Sequence, residues 1–222
     1  MKHKIGDIIV SKKGVKYKIL DVEHKKQNNG RIRTYLIIEI LETGFVICAT
    51  SDNFKRDRFK DLLKPSLYNV GKLGYIDDIV KENNCLLRDI KEYRIWEGII
   101  HRCYGIKDYS KKNSSYENAS ISEEWLRFDK FYQTIKDVPY YEWWKRFKLE
   151  YPNTKNIFEL DKDTLIKGNK IYSKDTCVFI PKFINAGYTS WAFDETKESL
   201  LKRMENMTYE SIIEQSKQLR YI

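Results

Sequence analysis

The residue types best able to meet a phosphate are concentrated near the start of the chain. Lys16 and Lys18 alternate with Val15, Tyr17 and Ile19, while Lys25, Lys26, Arg31 and Arg33 flank an Asn29-Gly30 turn signal. Long cations gathered on one polar edge neutralise backbone phosphates, the sequence-independent part of nucleic-acid binding. Other chemistry has less to build on. His3, His24 and His101 are scattered, and a lone histidine is more often structural than a base. Cys48, Cys85, Cys103 and Cys177 make no close pair, so no zinc is expected. Each sits in an apolar stretch such as FVICA or TCVFIP, which predicts buried, reduced thiols in a reducing compartment. The aromatic cluster YYEWWKRF at 140–147 offers rings for base stacking, but so dense a cluster is more often core, and core is favoured.

Charge distribution sharpens the first of these readings. The 222 residues carry a net charge of +9, and 41% of them are hydrophobic, a globular composition. Residues 1–70 hold 15 Lys and Arg against 8 Asp and Glu, whereas residues 71–222 hold 26 against 24. A merely lysine-rich composition would spread the excess evenly; its concentration in a small module is the footprint of a phosphate-binding surface. No apolar run reaches the roughly 20 residues needed to span a bilayer. The segment MKHKIGDIIVSKKG lacks the apolar core of a signal peptide. The expectation is a soluble protein with no membrane contact that stays where it is made.

The elements that must position these residues follow from periodicity. Residues 5–50 read as successive antiparallel strands, with reversals at Asn29-Gly30 and Thr43-Gly44. Strands this short need closure, so a small SH3-like β-barrel is expected over 1–70. Pro65, Gly71 and Gly74 mark a linker or domain joint. Ile90, Tyr93, Trp96, Ile99, Ile100 and Cys103 recur at helical spacing over 89–104, and a polar loop follows over 104–120. Ser120 and Glu123 fit a capping box ahead of Trp125, Phe128, Phe131, Tyr132 and Ile135. From Ile157 the pattern is strand (IFELD), loop, strand (TCVFI) and, after Pro181, a helical run KFINAGY. The stretch from Asp194, with Leu200, Leu201, Met204, Ile212, Ile213 and Leu219, reads as amphipathic helices that pack on the core or form a homodimer contact.

WEGIIHRCYG, SYENASISEEWLRFDKFYQ and FELDKDTLIKGNKIYSKDTCVFIPKFIN, in that order, resemble the phage-encoded HNH-like proteins related to homing endonucleases. The resemblance rests on Trp96, Arg102, Cys103, Tyr104, Tyr116, Glu124, Trp125, Phe128, Phe131, Asp161, Tyr172, Ser173, Cys177 and Asn185, within residues 93–190. The basic N-terminal module also resembles accessory domains that precede the nuclease part in such proteins. The resemblance implies an α+β chain whose residues 71–222 form a helical, HNH-like ββα-metal module with C-terminal helices. It implies Mg2+ or another divalent cation held by Asp161 and Asn185, double-stranded DNA as partner, and a phage or mobile-element protein working in the cytoplasm of a bacterial host. Hard oxygen ligands suit Mg2+, which stabilises the charge developing on phosphate.

The family's base histidine is absent: Lys162 stands in its place, and Thr176 replaces an Asn before the second strand. Lysine is protonated at neutral pH, so Lys162 is a poor base and a better phosphate clamp. Asp163 is a second carboxylate available to the ion or the water. One expectation is therefore a metal-dependent DNA endonuclease using Asp161, Lys162 and Asp163, with Arg102 added to the DNA-binding cations. The other is a catalytically degenerate HNH-fold protein that binds DNA without cutting it. RNA binding by the basic module is a third class.

Overall fold

Alternation along the first long strand decides where the smaller core forms. Tyr17 and Ile19 point inward and are buried, while Lys16 and Lys18 point outward. The computed structural model describes residues 3–105, 118–185 and 202–222. Within it the chain divides into two units, Met1–Ser66 and Leu67–Ile222. In the first, β1 (Ile8–Val10), β2 (Lys16–Lys26), β3 (Ile32–Ile40) and β4 (Phe45–Thr50) form one antiparallel sheet in sequence order. Among the described residues β4 does not pair back to β1, so the structure gives a four-stranded sheet where a closed barrel was expected. A bulge between Ile19 and Asp21 shifts the β2–β3 register, leaving Leu20 on the exposed side. The sheet buries Leu36, Ile38, Ile40 and Phe45 with Phe54 of α1 (Ser51–Lys55), whose first turn is capped by the Thr50 hydroxyl.

Two expectations fail here for reasons of register and context. Cys48 is exposed, because alternation along β4 turns it away from the face that buries Phe45. Cys85 and Cys103 are half-buried and only Cys177 is buried, all four thiols being free. The Ser120–Glu123 capping box does not form. Ser120 belongs instead to β5 (Ser120–Ile121), which pairs with β7 (Ile171–Tyr172), and α4 (Phe128–Thr134) starts after Arg127 with no side-chain cap. A capping box does occur at Thr208 and Ser211, ahead of α6 (Tyr209–Gln218).

The second unit is organised by aromatic burial. After the short α2 (Asp77–Asn83), which buries Ile79, α3 (Lys91–Tyr104) buries Trp96, Ile99 and Ile100. α4 buries Phe128, Phe131 and Tyr132, and α5 (Tyr141–Glu150) buries Tyr141, Trp144 and Phe147. The aromatic cluster at 140–147 is thus core on its inward face. The Trp96 indole N–H donates to the Trp125 carbonyl at 2.7 Å, so the bulkiest buried rings also fix α3 against the turn before α4. β6 (Phe158–Asp161) and β8 (Val178–Pro181) pair antiparallel, and residues 182–185 begin a helix directly after β8. The rest of KFINAGY, with Leu200, Leu201 and Tyr116, lies outside the described residues. Met204, Ile212 and Ile213 pack on the core. No helix among the described residues is long and apolar enough to cross a membrane.

The expected joint falls between Ser66 and Leu67, beside Pro65, while the stretch around Gly71 and Gly74 is part of this unit. Lys72 N–H donates to the Leu126 carbonyl at 2.9 Å, and Phe128 N–H to the Lys72 carbonyl at 2.8 Å. Gly74 has φ +72°, and a Cβ there would run into the Asp129 carboxylate. That carboxylate is 3% exposed and accepts from the Arg127 guanidinium and from the Tyr75 and Lys130 N–H groups. Burial would raise the Asp129 pKa, but these donors outweigh it and hold the group below its ordinary value. A depressed carboxylate contributes stability above its unfolded pKa and loses it as pH falls through the folded one. Asp129→Asn should therefore lower stability by about 1–3 kcal/mol at neutral pH. In urea unfolding the deficit should shrink towards about pH 3; a deficit that does not depend on pH would assign the loss to packing.

Candidate active-site cleft

β6 carries its side chains alternately to core and cleft. Phe158 is buried in the core with Leu160 packed against it, while Glu159 and Asp161, two residues apart, share the other side of the strand. Asp161 ends the strand and organises the turn after it. Its Oδ2 accepts from the Asp163 N–H at 3.0 Å, the Thr164 N–H at 2.7 Å and the Thr164 hydroxyl at 2.6 Å. Asn169 closes the same loop, its amide donating to the Lys162 and Ile171 carbonyls at 2.7 Å each. Thr176 has a structural place, its hydroxyl donating to the Ile171 carbonyl at 2.7 Å.

A cleft of about 400 Å³ opens over this strand, lined on one side by Glu159, Asp161, Asp163 and Asn185, and by Arg94, Gly98 and Arg102 of α3 on another. Asn185 Nδ2 donates to Glu159 Oε2 at 2.6 Å, which ties the start of the helix after β8 to β6. Burial first, and the neighbouring Asp163 carboxylate second, push the Asp161 pKa above its ordinary value despite the Thr164 donors. Lys162 is turned inward. Its side chain is 3% exposed, with Nζ 3.2 Å from Asp163 Oδ2, and it lies 5.9 Å from the centroid of the Tyr172 ring. The Arg102 guanidinium stands 5.6 Å from the same centroid. A lysine so placed serves as a counter-charge rather than an open phosphate clamp.

The structure therefore brings Asp161, Lys162, Asp163, Asn185 and Arg102 to one cleft. His101 does not line it and packs beside Tyr68, their ring centroids 5.4 Å apart. Glu159 and Arg94 are additions that sequence reasoning missed, although the two-residue step from Glu159 to Asp161 and the eight-residue step from Arg94 to Arg102 were legible signals. Among the described residues no three His, Cys, Asp or Glu side chains are grouped to hold a metal ion. The donors that do line the cleft are carboxylates and one amide. Such hard oxygens fit Mg2+, which is usually held through one or two carboxylates and keeps several waters.

In the smaller unit the six N-terminal cations are all exposed. Register places Lys16, Lys18, Lys25 and Arg33 on one face of the sheet, interleaved with Asp21, Glu23 and Glu39. Lys26 belongs to the opposite face, and Arg31 to the turn. Lys25 and Arg33 stand directly opposite across β2 and β3. Like charges so placed are unfavourable, an arrangement that a phosphate would relieve. Lys25 is also paired with Glu23 at 2.6 Å.

No family model matches the chain, and neither the curated proteins nor the solved structures contain a match to it.

The turn after β6 offers a direct test. Asp161→Asn keeps an acceptor oxygen for the three donors and should unfold within about 1 kcal/mol of wild type, whereas Asp161→Ala strands them and should cost about 1–3 kcal/mol. Equal losses in urea unfolding would mean that the oxygen does not organise the turn.

Proposed function

We propose that the protein is a metal-dependent DNA endonuclease of the phage HNH type, acting at the cleft over β6. One observation carries the reading: carboxylates and an amide suited to Mg2+ line the same cleft as two arginines suited to phosphate. The antiparallel pair β6 and β8, followed by a helix start, agrees with the ββα arrangement that the resemblance implies, with β7 lying in the connection and paired to β5. The four-stranded basic unit is read as the SH3-like accessory module. It supplies affinity for the duplex through Lys25, Lys26, Arg31 and Arg33, with Lys16 and Lys18 further along the sheet.

In this reading Asp161 and Asn185 would hold the divalent cation, with Glu159 on the same side of β6. When bound, the cation would stabilise the charge that develops on the attacked phosphate. Arg102 and Arg94 hold the phosphate group and its neighbours. Asp163, with 36% of its side chain exposed, accepts the proton of the attacking water, and Lys162 balances the charge of that carboxylate.

A second reading, an HNH-fold protein that binds DNA without cutting it, is favoured by one observation: a buried, ion-paired Lys162 occupies the place of the family's base.

Supercoiled-plasmid relaxation in Mg2+ or Mn2+ separates the two. The nuclease predicts nicking that EDTA and Asp161→Ala each abolish while gel-shift binding persists. Gel-shift binding with no nicking on any DNA offered would establish the second reading. Neutralising Lys25, Lys26, Arg31 and Arg33 should instead weaken binding and flatten its dependence on salt, the logarithmic slope falling by about one for each phosphate left unneutralised.

A further inference from the structure

Gly98 lies in the middle of α3, where glycine is costly relative to alanine because it gives up backbone freedom and packs nothing. Some glycines of this chain have an evident packing reason. A Cβ at Gly71 would press within 3.1 Å of the Trp96 ring and the Leu67 side chain. At Gly98 no such reason exists, since a Cβ built there meets nothing within 4 Å and Gly98 lines the cleft. The residues one turn before and one turn after it on the same face, Arg94 and Arg102, line the cleft as well. The Arg94 side chain is 59% exposed, with one ion pair to Glu97 at 3.3 Å. Arg102 is held over the buried Tyr172 ring, which also meets the Lys162 ammonium.

We infer that this face of α3 is a track for the phosphodiester backbone of a DNA strand: Gly98 leaves the helix bare so that the strand can lie close, and Arg94 and Arg102 meet phosphates at either end of a short run. The inference rests on the reading of the cleft as a DNA site and adds which wall the strand follows. Eight residues of helix separate the two arginines by about 12 Å along the axis, which suits a run of phosphates better than a single one. With no cation bound, the carboxylates Glu159, Asp161 and Asp163 on the facing side repel a phosphate, so in EDTA the strand is held by α3.

Gly98→Gln places a neutral helix former in the open space, and Gly98→Ala a smaller group. Full-length variants would be compared by melting temperature, by anisotropy with a short mixed-sequence DNA duplex over a salt series in EDTA, and by plasmid nicking in Mg2+. Gly98→Gln is expected to melt no lower than wild type, because the space is open and glutamine favours helix, yet to bind the duplex on the order of tenfold more weakly. Gly98→Ala should show a smaller loss. Arg94→Gln should reduce the salt slope by about one.

If Gly98→Gln binds and nicks as wild type does, the track is overturned and the nuclease reading stands. If wild type binds without nicking and Gly98→Gln still weakens binding, the track stands and the nuclease reading falls. Should Gly98→Gln fail to fold, Arg94→Gln decides, and an unchanged affinity and salt slope would overturn the track.

Discussion

The cleft of the larger unit depends on one half-buried carboxylate at the end of a strand. Asp161 must sit there because the chain leaves β6 in a tight turn whose N–H groups at Asp163 and Thr164 need an acceptor, and its Oδ2 serves both. The cost is a charge held partly out of water with a second carboxylate beside it, as the raised pKa of Asp161 records. The same strand alternation that packs Phe158 into the core sets Glu159 and Asp161 in the cleft together. Structure and chemistry are thus tied: a shift of one residue in β6 would bury both carboxylates and expose the phenylalanine.

What keeps α3 across from this strand is a set of buried polar contacts inside an aromatic core. The Trp96 and Trp125 indoles each find an acceptor, at the Trp125 carbonyl and the Thr134 hydroxyl. Glu92, 1% exposed on α3, accepts from the Tyr141 hydroxyl at 2.6 Å and the Lys145 ammonium at 2.5 Å. Burial, then the Glu92 carboxylate, push the Tyr141 hydroxyl well above its ordinary pKa, so that it remains a donor. These contacts specify where α3 and α5 sit in a core whose rings alone would allow sliding. The arginines of α3 inherit their position from Trp96, Ile99 and Ile100 on the opposite side of the helix.

Much of this was legible in the sequence because it rests on short-range periodicity. The Val15-Tyr17-Ile19 alternation, the turn at Gly30, the α3 pattern and the two strands β6 and β8 from Ile157 follow from local burial, while the expected loop between them also holds β7. What misled was local grammar overridden by distant partners. Ser120 and Glu123 read as a cap, but Ser120 is recruited by Ile171 across a strand pairing. Gly71 and Gly74, read with Pro65 as a linker or domain joint, lie inside the second unit, where Gly71 packs tightly against Trp96 and a Cβ at Gly74 would run into Asp129. Asp161, Asn185 and Arg102 came from resemblance alone. Glu159 and Arg94 were missed because a carboxylate in a strand and an arginine on a helix are ordinary surface residues until a cleft brings them together. Nor does the identity of Lys162 reveal that its ammonium is buried against Asp163.

If the carboxylates over β6 form a site for a divalent cation, direct ion binding reveals it most simply. Mn2+ would be titrated into the full-length protein and followed by its electron paramagnetic resonance signal, with Asp161→Asn and Glu159→Gln as folded controls. One bound ion is expected, lost in Asp161→Asn and weakened in Glu159→Gln, with unfolding midpoints close to wild type. Wild-type protein that binds no Mn2+, or Asp161→Asn that binds it equally well, would show that these carboxylates hold no cation.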